Sequence, residues 1–97
     1  MIRLELSGFV ERDLDDIAAY IAQDNPLRAV TFVREIRATF RTIQSNPLMY
    51  QLRPDIGDEA RMATIGRYVI LFRVGNHTAR IERVIYGGRD LPAALDP

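Results

Sequence analysis

The first part of the chain shows two kinds of spacing between apolar and polar positions. Residues 2–6 place Ile or Leu at every second position, which predicts a short strand with one buried face. Further along, the apolar positions recur at steps of three and four, which is typical of one face of a helix. We expect this helix to begin near Gly8, with the Ser7 hydroxyl as its N-cap. Its apolar stripe comprises Val10, Leu14, Ile17 and Ile21.

A second helix follows after a short break. Asn25–Pro26 predicts the break and the new start, because Asn is a good N-cap and Pro suits the first helical position. The helix should run to about Ser45, since Asn46–Pro47 disfavours further helix. Two amphipathic helices so close together predict a helical hairpin that needs another surface to cover its apolar faces. The second stripe comprises Ala29, Val33, Ile36, Phe40 and Ile43.

The second half of the chain supplies that surface as strands. The predicted strands cover residues 60–65, 68–72 and 78–86. Residues 68–72 are apolar throughout, which indicates a central strand covered on both faces. Residues 47–59 show no period and predict a long loop, and residues 90–95 predict a final helical turn. The order β-α-α-β-β-β predicts an α+β fold: an antiparallel-rich sheet with the helical hairpin packed on one face.

Composition narrows the possible chemistry. A chain of 97 residues predicts a single domain over 1–97. Thirteen basic residues, all of them Arg, balance thirteen acidic ones, which argues against a generic nucleic-acid binder. With no Cys and one His, thiolate and multi-His metal sites are excluded. No apolar run reaches the ~18 residues of a membrane span. We therefore expect a cytoplasmic domain without cofactor or metal.

No catalytic signature stands out among the polar residues. His77 lies in a predicted turn at Gly75–Asn76, and we expect it to be solvated rather than catalytic. Asp13 and Asp16 share one helical side, which we interpret as a solvated outer face rather than a carboxylate pair. Gly87–Gly88 precedes no long helix, so we interpret it as a turn and not as a phosphate-binding loop.

The arginines are more informative than the other charged residues. Arg34, Arg37 and Arg41 form a stripe beside the apolar face of the second helix. This stripe is either a solvated flank whose stems cover the core edge, or a partner-binding face that pairs with carboxylates.

Arg83 conflicts with strict alternation in the last predicted strand. That pattern places it on the face of its apolar neighbours Ala79, Ile81 and Ile85. An unpaired buried charge is costly. A β-bulge, an acidic partner beneath the side chain, or an open sheet end would each resolve the conflict. A structural role and a binding role for Arg83 therefore both stay open.

Taken in order, the segments of the chain resemble the ParE toxins of the RelE/ParE toxin–antitoxin superfamily. The last segment resembles the family ending "I-x-RVLHGxRDL", and Tyr86 stands where the family often has His. The segments that carry the resemblance are Leu14–Ala22, Asn25–Pro26, Phe40–Pro47, Arg53–Pro54 with Arg61, Ile65–Val74 and Ile81–Leu91. They run nearly from end to end of the chain at the family's spacing.

The resemblance implies a toxin that inhibits DNA gyrase by stabilising the gyrase–DNA cleavage complex, without catalysis of its own. It also implies a ParD-like antitoxin, a ribbon-helix-helix DNA-binding protein whose disordered tail folds over the toxin along the hairpin and sheet edge. Such a toxin would contribute to plasmid or chromosome maintenance through growth arrest. We expect Arg61, Arg83, Arg89 and Tyr86 to form part of the functional surface. The stripe of Arg34, Arg37 and Arg41 would serve antitoxin carboxylates.

Two alternatives remain beside the gyrase inhibitor. RelE-type relatives cleave messenger RNA in the ribosome and carry an Arg after the Tyr of the central strand, whereas Val69 follows Tyr68 here. The zero net charge also fits poorly with binding ribosomal RNA. A non-toxic binding module is the third hypothesis, suggested by Tyr86 in place of His.

Overall fold

The fold combines a helical hairpin with a mixed sheet. A computed structural model of the chain describes residues 1–88 together with Leu91 and Leu95. Within this part of the chain the elements are β1 (Arg3–Leu6), α1 (Val10–Ala22), α2 (Pro26–Ser45), β2 (Gln51–Leu52), β3 (Ala60–Ile65), β4 (Tyr68–Gly75) and β5 (Thr78–Tyr86). The strand order is β1-β5-β4-β3-β2, with β1 parallel to β5 and the other pairs antiparallel. The α+β fold predicted from the sequence is confirmed. The predicted turn over 90–95 lies outside the described residues, apart from Leu91 and Leu95.

The helix boundaries follow from local hydrogen bonding. Asn25 Oδ1 accepts a bond from the Arg28 amide at 3.0 Å and Pro26 occupies the first turn, so the predicted start of α2 is confirmed. The predicted start of α1 is wrong, because α1 begins at Val10. The Ser7 hydroxyl instead donates to the Glu82 carbonyl at 2.6 Å. Ser7 therefore fastens the junction between β1 and α1 to β5.

β4 lies in the middle of the sheet and is buried on both faces. Ile70 and Phe72 pack under the helical hairpin, with Leu14 and Ile36 among their neighbours. Val69 and Leu71 point to the opposite face and belong to a second core. The prediction of a central strand covered on both sides is confirmed. The second core also contains Ile56, Ala60 and Ile85, with Leu91 and Leu95 packed against it.

The segment predicted as a loop contains two short elements. Residues Pro47–Met49 form one 3-10 turn, and β2 pairs with β3 through Gln51–Met62 and Leu52–Arg61. Ile56, further along, is buried against the second face of the sheet. A two-residue strand is too short to produce a visible period, which is why the sequence pattern indicates only a loop. The segment covers the sheet face that the hairpin leaves open.

The tight turn between β3 and β4 depends on Gly66. Its φ is +58°, and a Cβ there would lie 3.4 Å from the Phe32 ring. We expect Gly66→Ala to lower the free energy of unfolding by about 1–2 kcal/mol, measured by urea denaturation, because the left-handed conformation strains a side chain. Gly75→Ala is the control, since a Cβ at Gly75 would contact nothing within 4 Å. An equal loss for both variants would contradict this reasoning.

Candidate functional site

A concave surface lies where the tip of the helical hairpin meets the ends of β4 and β5. The end of α1 and the start of α2 form one wall, and the β3–β4 turn with the adjacent strand ends forms the other. The volume is about 570 Å³. We call this surface the tyrosine groove; it is lined by Tyr20, Ile21, Arg28, Phe32, Gly66, Arg67, Tyr68 and Tyr86.

Aromatic rings make the groove apolar and give it a defined shape. The centroids of Phe32 and Tyr68 are 5.6 Å apart, and those of Tyr68 and Tyr86 are 6.0 Å apart at an interplanar angle of 78°. These are the tilted and edge-to-face arrangements that aromatic pairs prefer. Tyr20 and Tyr86 are nevertheless 68% and 49% exposed. A cluster of exposed rings at one concave surface is typical of a protein-binding site.

Among the described residues, two arginines are the charged side chains that line the groove. The Arg28 guanidinium lies 4.9 Å from the centroid of the Phe32 ring and is bonded to Thr31 and Glu35. Arg67 is exposed, and its side chain forms no ion pair within the described residues. The groove therefore combines an apolar floor with a cationic rim, which suits an apolar segment that also carries carboxylates.

Tyr68 differs from its neighbours in the groove because its phenol is partly desolvated. Burial raises the pKa of Tyr68 above the ordinary 10.0, with smaller contributions from Tyr20 and Tyr86. A raised folded-state pKa gives stability that is complete below the unfolded pKa and is lost as pH rises through the folded value. We therefore expect the free energy of unfolding of Tyr68→Phe to fall less than that of the wild type as pH increases above 10.0. Denaturation curves across the alkaline range test this; parallel curves for the two proteins would contradict it.

A buried ion pair joins α1 to β5 beside the groove. The Asp13 carboxylate accepts bonds from Arg83 Nε at 2.8 Å and Nη2 at 2.9 Å, and also from the Val84 amide at 3.0 Å. The Asp13 and Arg83 side chains are 8% and 22% exposed. The guanidinium also lies 5.1 Å from the centroid of the Phe9 ring. The hydrogen bonds to Asp13 raise the pKa of Arg83, which favours the charged guanidinium.

Two of the three explanations considered for Arg83 occur together. The register between β4 and β5 shifts at Leu71/Phe72, which leaves Glu82 without a partner on β4, and Asp13 supplies the acidic partner. The prediction that Asp13 faces solvent is wrong, although Asp16 is exposed. β1 ends at Leu6, so the Val84 amide on the free edge of β5 is available to the Asp13 carboxylate.

A signal for the burial of Asp13 does exist in the sequence. Asp13 lies three residues after Val10 and four before Ile17, so it occupies the buried stripe of α1. A carboxylate on that stripe requires a cationic partner, and Arg83 requires an anionic one. Matching these two requirements would have identified the pair.

Arg61 is held at a different part of the sheet. Its Nη1 donates to the Tyr50 carbonyl at 2.6 Å. Arg61 is paired with Phe72 and Tyr86 with Tyr68, which separates the two positions by about 13 Å along β4 at ~3.3 Å per residue. The structure therefore does not bring Arg61 to Tyr86 and the groove. Arg89, the remaining member of this predicted set, lies outside the described residues.

The predicted arginine stripe does lie on the exposed side of α2. Arg37 forms two hydrogen bonds with Glu11 on α1, at 2.7 and 3.2 Å, and this contact lowers the pKa of Glu11. Arg34 and Arg41 are exposed and form no ion pair among residues 1–88, Leu91 and Leu95. Two cations of the stripe are therefore available to a partner.

The histidine and the acidic side chains of the described residues are not gathered into a metal-binding group. His77 lies exposed in the β4–β5 turn, as expected. Within the described ranges, no group of three His, Asp or Glu side chains could hold a metal ion. No helix in the same part of the chain is long and apolar enough to cross a membrane.

Comparisons with known proteins agree with the fold. The family model for the ParE toxin of the type II toxin–antitoxin system parDE matches residues 4–91. A solved structure described as the chromosomal ParDE TA system from P. aeruginosa superposes with a TM-score of 0.79 at 22% identity, covering 89% of this chain and 96% of that one. The search of curated proteins found no match. Because the family model spans most of the sequence, the chain belongs to the ParE toxin family of type II toxin–antitoxin systems.

Proposed function

We propose that this toxin inhibits DNA gyrase by stabilising the gyrase–DNA cleavage complex, and that a ParD-like antitoxin neutralises it in the cytoplasm. Membership of the ParE family supports the toxin assignment. The observation that carries the mode of action is the tyrosine groove, which has exposed rings, a cationic rim and no acidic side chain among the described residues that line it. Such a surface can hold a partner but offers no acid–base pair for hydrolysis.

In this proposal the antitoxin tail places an apolar side chain in the tyrosine groove. Tyr20 and Tyr86 supply the large exposed rings that dominate the energetics of protein interfaces. Carboxylates of the tail pair with Arg67 at the groove and with Arg34 and Arg41 on α2. Arg37 contributes by exchanging its exposed contact with Glu11 for a tail carboxylate, because exposed ion pairs contribute little stability.

The ribosome-dependent nuclease is the weaker candidate for this chain. Of the arginines that suggest this activity, Arg61 is bonded to the Tyr50 carbonyl and Arg83 to Asp13, so these two are not free to hold RNA. The net charge of zero also provides little long-range attraction to RNA. No contact among the described residues favours that activity over gyrase inhibition.

A supercoiling assay tests the proposed activity. Purified toxin is titrated into gyrase, ATP and relaxed plasmid, and the supercoiled product is followed on a gel. We expect supercoiling to fall with increasing toxin and to recover when purified cognate antitoxin is added. Full supercoiling at a large molar excess of toxin contradicts gyrase inhibition. Transcript mapping after induction distinguishes the alternative, since codon-phased cuts would indicate a ribosomal nuclease.

A further inference from the structure

The tyrosine groove continues along the free edge of β5 to the buried ion pair. A smaller depression of about 210 Å³ shares three rings with the groove, namely Tyr20, Tyr68 and Tyr86. Asp13 and Arg83 line its far end. The ion pair and the groove are therefore parts of one continuous cleft between α1 and β5.

The pair connects the two walls of this cleft, α1 and the edge of β5. Asp13 and Tyr20 are seven residues apart on α1, which places them on the same side of the helix about 10 Å apart at 1.5 Å per residue. On β5, Arg83 lies three residues before Tyr86. A shift of Asp13 relative to Arg83 therefore displaces the Tyr20 ring relative to the Tyr86 ring.

We propose that Asp13 and Arg83 are positioning residues that set the width of the tyrosine groove, and through it the affinity for the antitoxin. Arg83 acts through Asp13 and does not contact the partner itself. The binding part of this inference rests on the proposed function, whereas the geometric part concerns the isolated toxin.

The geometry of the Asp13–Arg83 contact supports a positioning role over a contribution to stability alone. An apolar pair of similar volume often stabilises a protein as well as a buried ion pair does, so stability alone does not require charges here. The planar guanidinium matches the carboxylate through two parallel bonds and so fixes orientation as well as distance. The additional bond to the Val84 amide aligns the carboxylate with the backbone of β5. Three directed bonds leave α1 little freedom to slide along the strand.

The test uses Arg83→Lys and Asp13→Asn, which keep side chains of similar size but lose the bidentate contact. Both are made in toxin labelled with 3-fluorotyrosine, and fluorine NMR reports the surroundings of Tyr20 and Tyr86. We expect both resonances to shift in the folded variants, and the dissociation constant for purified cognate antitoxin to rise roughly tenfold. The Arg53→Lys variant is the matched control, because it alters a bidentate ion pair with Asp55 between β2 and β3, away from the edge of β5.

The outcomes separate this inference from the proposed function. Unchanged Tyr20 and Tyr86 resonances in folded variants of lower stability would overturn the inference and leave the pair as structural only. Shifted resonances with unchanged antitoxin affinity would overturn its binding part. If the wild-type toxin itself fails to bind antitoxin, the proposed function fails, while the fluorine spectra still decide whether the pair sets the groove width.

Discussion

Replacing Asp13 with Ala is expected to lower the free energy of unfolding by about 3 kcal/mol, because it removes one partner of a buried ion pair. Arg83 would keep its charge at 22% exposure without a carboxylate, and the Val84 amide would lose its acceptor. Urea denaturation followed by circular dichroism measures the loss. The same variant should also loosen α1 from the part of the β5 edge that β1 does not cover.

The matched control for this prediction is Asp16→Ala. Asp16 lies on the same helix but is exposed, and it forms no ion pair within the described residues. Its replacement should change the free energy of unfolding by no more than about 0.5 kcal/mol. A comparable loss for the two variants would mean that the Asp13–Arg83 contact contributes nothing specific.

Replacing Tyr86 with Ala is expected to raise the dissociation constant for the antitoxin about 100-fold, or ~2.7 kcal/mol, as expected for a central interface aromatic. Tyr86 is 49% exposed at the end of β5, so truncation removes contact area for the partner while the core stays intact. Its ring also supports Tyr68 edge to face. Isothermal titration calorimetry with purified antitoxin measures the change.

Leu48→Ala provides the comparison for Tyr86→Ala. Leu48 is 66% exposed, but it lies in the 3-10 turn next to β2, at the opposite edge of the sheet from the edge of β5 that borders the groove. We expect the Leu48→Ala variant to bind the antitoxin with the same affinity as the wild type. If Leu48→Ala weakens binding more than Tyr86→Ala, the antitoxin site lies elsewhere on the toxin.

Local sequence patterns were sufficient to predict most of the fold. The apolar run within β4 predicts burial on both faces because each successive side chain changes face. Asn25–Pro26 predicts the start of α2 because capping depends only on nearby residues. The observed bounds of α2, β3 and β5 match the predicted ones, because nearby residues along the chain also determine where these elements begin and end.

The features that the sequence did not predict depend on contacts between distant segments. The groove forms where Tyr20 of α1 meets Tyr68 and Tyr86 of the sheet, and no spacing along the chain brings these rings together. Phe32, which the predicted stripe omits, is buried, whereas the predicted Val33 is only partly buried against the core. The burial of Asp13 was not predicted, because its charge suggested a solvated face. Its position on the apolar stripe of α1 instead required a cationic partner.

The cleavage complex itself gives the most direct test of the proposed mechanism. Gyrase, plasmid DNA and toxin are incubated together, and detergent and protease then release any DNA that is trapped in a covalently bound, cleaved state. The mechanism predicts linear DNA that increases with toxin and disappears when antitoxin is added first. The absence of linear DNA, with a toxin preparation that binds its antitoxin fully, would contradict it.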